Sequence, residues 1–413
     1  MSKSSIYKKI LGDHFPNQLE LSFQDGSSRQ TLFYEKVTWD VDGERRGLRY
    51  GENPDQPAAL YRLVNGNLCL GDVECIRAGR WLSSDVELLQ SGKHPGKINI
   101  TDVDAALNIL RYFSEEPAAV IVKHNNPSGV AVRDSLEEAY LTAFWADPVA
   151  AFGGAVAVNR QVDRATAEAI AERYVEVVCA PDYEEGALEI LGARRNLRIM
   201  RIGRIDRLSE YVGARVLDIK SLMDGGLVTQ WSYVPRPLTL EELVPATADY
   251  KGTSYSVKRG PSTQEGSDMV FGWFVESGVT SNSVIYVKDR ATVAIGTGEQ
   301  DRVGVAEIAR DKAYRKLAER IAQDEFGRGF QSLTENERRA VETSVEGHKG
   351  GLSGSTMISD GFFPFRDGVE VGLKAGVSAV LQPGGSLRDH ESIEACNEFG
   401  ATMVFTGQRS FRH

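Results

Sequence analysis

Ala119-Val120-Ile121-Val122-Lys123-His124-Asn125-Asn126-Pro127-Ser128-Gly129 reads as a short apolar strand running into a polar turn. An apolar run bounded by Asn, Pro and Gly is the pattern of a covered strand, and in α/β folds such strands end at the ligand crevice. Lys123 and His124 therefore stand at its rim. A neighbouring ammonium disfavours the imidazolium form, which keeps a neutral base available near neutral pH. Taken as a dipeptide alone, the pair also fits a surface lysine beside a hydrogen-bonded turn histidine.

An alternating rhythm extends from this strand. Ser135-Leu136-Glu137-Glu138 has the form of a helix-start capping box, and 151–158 reads as a Gly-punctuated strand. Helical patterning over 166–174 and 184–191 alternates with strand patterning over 175–179 and 197–202. This alternation predicts an α/β domain. The second half repeats the plan: Ile285-Tyr286-Val287-Lys288 echoes Val120-Ile121-Val122-Lys123, and Ala379-Val380-Leu381-Gln382-Pro383-Gly384 echoes Val177-Val178-Cys179-Ala180-Pro181-Asp182. Val305, Ala309, Ala313, Leu317 and Ile321 recur every four residues and predict a helix with one apolar face. The stretch 205–264 reads as an irregular polar connector, and 326–355 as a charged, Gly-rich insertion. Duplicated lobes commonly share a site, so the functional loops of both halves are expected to meet in a cleft or across a dimer interface.

At 413 residues the chain exceeds one ordinary core, and two or three domains or lobes are expected. No run approaches the roughly 18 apolar residues of a membrane span, and the polar start, Met1 to Lys9, lacks a signal-peptide core, which points to the cytoplasm. Cys69, Cys75, Cys179 and Cys396 are scattered without a CxxC pair, so neither a disulfide framework nor a structural zinc site is expected. A net charge of −10 disfavours nucleic acid and anionic membranes as partners and leaves a small molecule, with local arginines able to hold a phosphate.

Several polar turns carry candidate contacts. Leu48 to Pro57 holds Gly, Asn and two prolines, a rigid loop that presents Arg49 and Tyr50, although an ordinary connection has the same composition. Ser281-Asn282-Ser283 precedes the second Lys-bearing strand, and Gly296-Thr297-Gly298-Glu299-Gln300-Asp301-Arg302 opens the amphipathic helix, either as an anion cradle or as a plain helix entry. In 359–367, three aromatics around a proline could stack a planar ring, with Asp367 accepting from an amino group, or form a packed turn. The chain end, Gln408 to His413, is basic, and such ends usually dangle.

In this order the motifs RYGENP, VIVKHNNPSGVAV, DPVAAFGG, SNSVIYVK, GTGEQDRV, SDGFFPFRDGV, QPGGSLRD and FTGQRSFRH resemble the AICAR transformylase part of the bifunctional purine biosynthesis proteins, from about Leu48 to His413. The cyclohydrolase domain that precedes this region in most relatives is expected to be absent, leaving a free-standing transformylase. The resemblance implies two duplicated cytidine-deaminase-like lobes, three-layer sheets flanked by helices, without the deaminase zinc. It divides the chain into an extension (1–47), a first lobe (48–204), a connector (205–264) and a second lobe (265–413). The implied activity is formyl transfer from 10-formyltetrahydrofolate, as co-substrate, to the 5-amino group of AICAR, giving FAICAR and tetrahydrofolate. The implied assembly is a homodimer with shared sites.

By resemblance, His124 is the base on the attacking amine, Lys123 its partner near the formyl oxygen, and Asn282 a hydrogen-bonding group at the same centre. Arg49, Tyr50, Gly153, Glu176, Arg302, Phe362 and Arg409 fall where relatives hold the nucleotide. Pro364, Phe365 and Asp367 fall where they meet the folate, and no metal is expected. Asn125 and Ser128 replace small apolar or cysteine residues of many relatives, and Glu176 stands for an aspartate in some. Two other readings are open to test: a silent nucleotide-binding relative, which would lack Lys123, His124 or Asn282, and a zinc-dependent deaminase-type hydrolase.

Overall fold

The computed structural model describes residues 14–413; the first part of the expected extension (1–13) and the side chains of Glu74 and Cys75, one of the four cysteines, lie outside the described residues. The fold is α/β, and one series of elements occurs twice along the chain. Helix α1 (Lys97–Leu110) is followed by β1 (Ala118–Lys123), β2 (Asn126–Val132), α2 (Leu136–Ala146), β3 (Ala155–Val158), α3 (Arg164–Ala171), β4 (Val177–Ala180), α4 (Glu185–Gly192) and β5 (Arg198–Arg201). Later, α5 (Thr263–Glu276) leads to β6 (Val284–Lys288), β7 (Ala291–Gly296), α6 (Arg302–Phe326), β8 (Thr356–Ser359), α7 (Arg366–Lys374), β9 (Ala379–Gln382), α8 (Asp389–Glu398) and β10 (Thr402–Phe405).

Contacts divide the chain into two compact units. Among the described residues the first comprises 14–117, Val122–Asn125 and Phe152–Val234. Here β3, β4 and β5 run parallel, with Ala155 opposite Val177 and Val177 opposite Arg198, while Glu87–Gln90 pairs antiparallel with β5. All four residues of β3 and of β4 are buried, as a parallel strand covered on both faces requires. Helix α3 forms the crossover between them, and its start is fixed by Asp163, whose carboxylate accepts the Thr166 N–H at 2.8 Å. The N-terminal part adds an antiparallel ladder of Gln18–Asp25, Ser28–Lys36 and Tyr61–Asn65 over Leu32, Leu63 and Leu68.

The second unit comprises Ala118–Ile121, Asn126–Ala151 and Pro235–His413. Its sheet runs β10-β9-β8-β6-β7-β2. Strands β8, β9 and β10 are parallel, and β6 is antiparallel to both β7 and β8. Helices α6, α7 and α8 cover a core that includes Tyr286, Met357, Phe363, Val380 and Met403. Close backbone approach explains Gly129 in β2: a Cβ there would lie 1.8 Å from the Ala143 carbonyl oxygen of α2.

Several expectations need correction. The stretch 205–264 is not irregular throughout, since it holds hairpins at Leu217–Ser221 with Leu227–Trp231 and at Thr247–Tyr250 with Thr253–Ser256. The first of these hairpins is largely exposed, and without a buried face it leaves no apolar alternation to read. The insertion at 326–355 carries a helix, Glu335–Gly347, whose Val341 and Val345 pack with Ala318, Ala322 and Leu333. The buried row of α6 starts at Val305, Ala309 and Ala313 but moves to Ala318 and Ala322, leaving Leu317 and Ile321 half-buried. A strict four-residue spacing advances by about 40° per step around a helix of 3.6 residues per turn, so the stripe leaves the core. In 151–158 only Ala155–Val158 is strand, because Pro148–Ala151 forms a short helix and Gly153 turns at φ +74°.

Candidate active site

In the first unit, the turn after β1 carries His124 at φ 56° and Asn125 at φ 62°, two successive left-handed residues. Asp102 on α1 accepts the Asn125 N–H at 2.7 Å. Lys123 Nζ donates to the Phe152 carbonyl at 2.6 Å, which holds the ammonium against the Gly153 turn. The Gly153 N–H donates to Tyr174 O at 2.9 Å and the Glu176 N–H to Gly154 O at 3.0 Å, so Gly153 and Glu176 stand side by side at the entries to β3 and β4. The Glu176 carboxylate lies 3.5 Å from Arg198 Nη1 and within 3.5 Å of Asn99 Nδ2.

The 48–57 loop is tied down by backbone hydrogen bonds. Arg49 N–H donates to Pro95 O at 2.9 Å, Lys97 N–H to Tyr50 O at 2.9 Å, and Gly51 N–H to Gln56 O at 2.7 Å. The Arg49 guanidinium lies 5.2 Å from the Tyr50 ring centroid. Beside it His94 is only 6% exposed, and its burial, with Arg46, Arg49 and Arg198 near it, pushes its pKa down to about 4. A neutral imidazole among three guanidiniums marks a region of positive potential suited to an anion. A cavity of about 650 Å³ opens on its Arg46 side, lined by Lys36, Arg45, Arg46 and His94, and Lys123 and His124 do not line it.

In the second unit, Asn282 is engaged at both ends of its amide. Nδ2 donates to Gln300 O at 2.9 Å, and Oδ1 accepts from Arg302 Nη2 at 2.9 Å. Arg302, the first residue of α6, is buried; Nη1 donates to Ser283 O and to Ser359 Oγ, both at 3.1 Å, and pairs with the fully buried Asp360. The other Asp360 oxygen accepts from Ser281 Oγ at 2.5 Å. Glu276 accepts from Ser283 Oγ at 2.8 Å, and complete burial, reinforced by Asp360, pushes its pKa well above the usual carboxylate range. The 296–302 turn resolves as a helix entry whose N-terminal charge is met by the chain itself: Asp301 accepts the Gly304 N–H at 2.6 Å.

The basic chain end does not dangle. Ser410 is fully buried and its N–H donates to Asp360 O at 3.0 Å, while Ser281 N–H donates to Arg412 O at 2.9 Å and Arg412 N–H to Ser281 Oγ at 3.1 Å. Backbone pairing to the 281 loop outweighs the charge repulsion that would free the end. Arg409 and Arg302 consequently flank the Phe411 ring, at 5.0 and 6.0 Å from its centroid. The three aromatics of 359–367 divide: Phe363 is a core residue whose N–H donates to Gln382 Oε1 at 3.1 Å, whereas Phe362 and Phe365 are exposed. Phe365 lies 5.1 Å beneath the Arg388 guanidinium. Pro364 is half-buried, and the exposed Asp367 accepts the Gly368 N–H at 2.8 Å in the first turn of α7.

Asp102, His94, Arg198 and Glu276 escape a motif reading. A signal for Asp102 exists: it is a carboxylate among Ile100, Val103, Ala105 and Ala106 on the buried face of α1. Among the described residues no group of three or more His, Cys, Asp or Glu is placed to hold a metal ion.

These clusters define an α/β protein whose strand and helix ends carry cationic, hydrogen-bonding side chains. The chain belongs to the AICARFT/IMPCHase bienzyme family, whose model it matches over residues 7–312. It is 36% identical over 366 residues to the bifunctional purine biosynthesis protein PurH of Caldicellulosiruptor saccharolyticus, covering 89% of this chain and 59% of that protein. With PurH of Magnetococcus marinus it shares 39% over 395 residues (95% and 64%), and with that of Oceanobacillus iheyensis 34% over 410 residues (99% and 65%). The chain thus spans about three fifths of the length of these curated relatives.

Proposed function

We propose that the chain transfers a formyl group from 10-formyltetrahydrofolate to the 5-amino group of AICAR, giving FAICAR and tetrahydrofolate in purine biosynthesis. The main support is similarity to proteins named for purine biosynthesis along 89–99% of this chain. The amine attacks the formyl carbon, the carbon–N10 bond breaks, and the proton lost by the amine ends on N10 of the departing folate. An amine conjugated to an imidazole carboxamide is a weak nucleophile, so His124 serves as its base while Lys123 and Asn282 stabilise the developing oxyanion. Arg49, Tyr50, Gly153, Glu176, Arg302, Phe362 and Arg409 bind the nucleotide, with forked arginine contacts suited to its phosphate. Pro364, Phe365 and Asp367 meet the folate.

Two cytidine-deaminase-like lobes, at 48–204 and 265–413, fit the element series that occurs twice along the chain. A cytoplasmic homodimer with shared sites completes the reading; among the described residues no helix is long and apolar enough to cross a membrane. The test is incubation of the purified chain with AICAR and 10-formyltetrahydrofolate. Stoichiometric FAICAR and tetrahydrofolate are expected. AICAR binding without turnover, or activity that requires one tightly bound zinc per chain, overturns the proposal.

A further inference from the structure

Asp102 sits on the buried face of α1, 5% exposed, where its helix neighbours are apolar. A carboxylate in such a place needs strong partners to offset its desolvation. It finds them in the turn that carries His124. Its Oδ1 accepts the Asn125 N–H at 2.7 Å, and the His124 backbone bonds to it as well. Both residues of that turn are left-handed and both bear side chains, a conformation that is costly for a residue such as histidine unless the surroundings impose it. The His124 side chain itself is exposed.

We propose that Asp102 is the positioning residue of His124: its carboxylate locks the left-handed turn that aims the imidazole. This inference rests on the formyl-transfer reading for its chemical purpose, though not for its geometry. The charged groups around the pair are Lys123, which is drawn to the Phe152 carbonyl, and Glu176, which faces Asp102 from the entry to β4. Burial pushes the Asp102 pKa up from its ordinary value, while the two backbone donors and His124 act against that rise.

The decisive experiment is NMR of isotope-labelled protein without substrate, reading the backbone conformation of His124 and Asn125 from their amide–Hα couplings, with the His124 signal assigned by its loss in His124→Gln. Asp102→Ala removes the acceptor of the Asn125 N–H, and the left-handed couplings of both residues are expected to be lost. In parallel, kcat is expected to fall about 10- to 100-fold, with KM for AICAR changing far less, and Asp102→Glu to recover part of the loss. Unchanged couplings in Asp102→Ala overturn the proposal. If that variant does not fold, wild-type protein decides: the His124 and Asn125 amide protons must titrate together with one carboxyl group, and their indifference to it is fatal to the idea. Because the spectra are read without substrate, a chain inactive in formyl transfer still tests it.

Discussion

Arg302 donates from Nη2 to Asn282 Oδ1 at 2.9 Å while its Nη1 pairs with Asp360, so one buried guanidinium orients a candidate catalytic amide and neutralises a carboxylate with no solvent access. Removing it exposes both debts. Arg302→Gln strands the Asp360 charge and is expected to cost about 3–5 kcal/mol of stability, together with most formyl transfer. Arg302→Lys keeps the charge and loses the fork, so it should melt between the two. Thermal denaturation and steady-state rates check this, and a Gln variant as stable as the wild type refutes the pairing.

His124 is exposed, and its side chain contributes little packing. His124→Gln is therefore expected to fold with a nearly unchanged melting temperature while kcat drops by about two to four orders of magnitude, the span of a lost general base. Full turnover in this variant removes His124 from the chemistry.

His94 offers a pH dependence independent of activity. Its pKa is about 4 in the folded chain, against the ordinary imidazole value of 6.5, so the unfolded chain binds the extra proton first as pH falls. The stability it contributes is complete above about pH 6.5 and is lost progressively towards pH 4, on the order of 3 kcal/mol in all. His94→Gln should flatten the melting temperature over that window. An identical slope in wild type and variant contradicts the assignment.

Neighbouring phenylalanines should behave oppositely. Phe363 is fully buried in the core of the second unit, and Phe363→Ala is expected to cost about 3–5 kcal/mol. Phe365 is 49% exposed, so Phe365→Ala should leave the melting temperature almost unchanged and raise KM for the folate donor. Chemical denaturation and kinetics of both variants separate the roles.

Much of this was legible in the chain. Apolar runs such as Val177–Ala180 and Ala379–Gln382 read as covered strands because a parallel strand buries both faces and shows as a continuous apolar run, which its shortness and the proline that follows then mark as strand. Ser135 announced α2 because its hydroxyl accepts the Glu138 N–H three residues on, at 3.2 Å. The ladder at 18–36 was not legible: its strands are mostly exposed or half-buried, so no strong apolar alternation marks them.

By itself the sequence determined the α/β class, the alternation of elements and the Lys123-His124 turn, because local periodicity, capping and turn chemistry act between residues a few positions apart. Tertiary structure alone decided that Asp102 holds that turn from 22 or 23 positions away in the chain, that Arg302 reaches Asp360 and Asn282, and that the basic end is pinned to Ser281. Each is a polar contact between distant segments, made in a buried setting where an unpaired charge or N–H is costly, and nothing in the local pattern encodes which distant partner satisfies it.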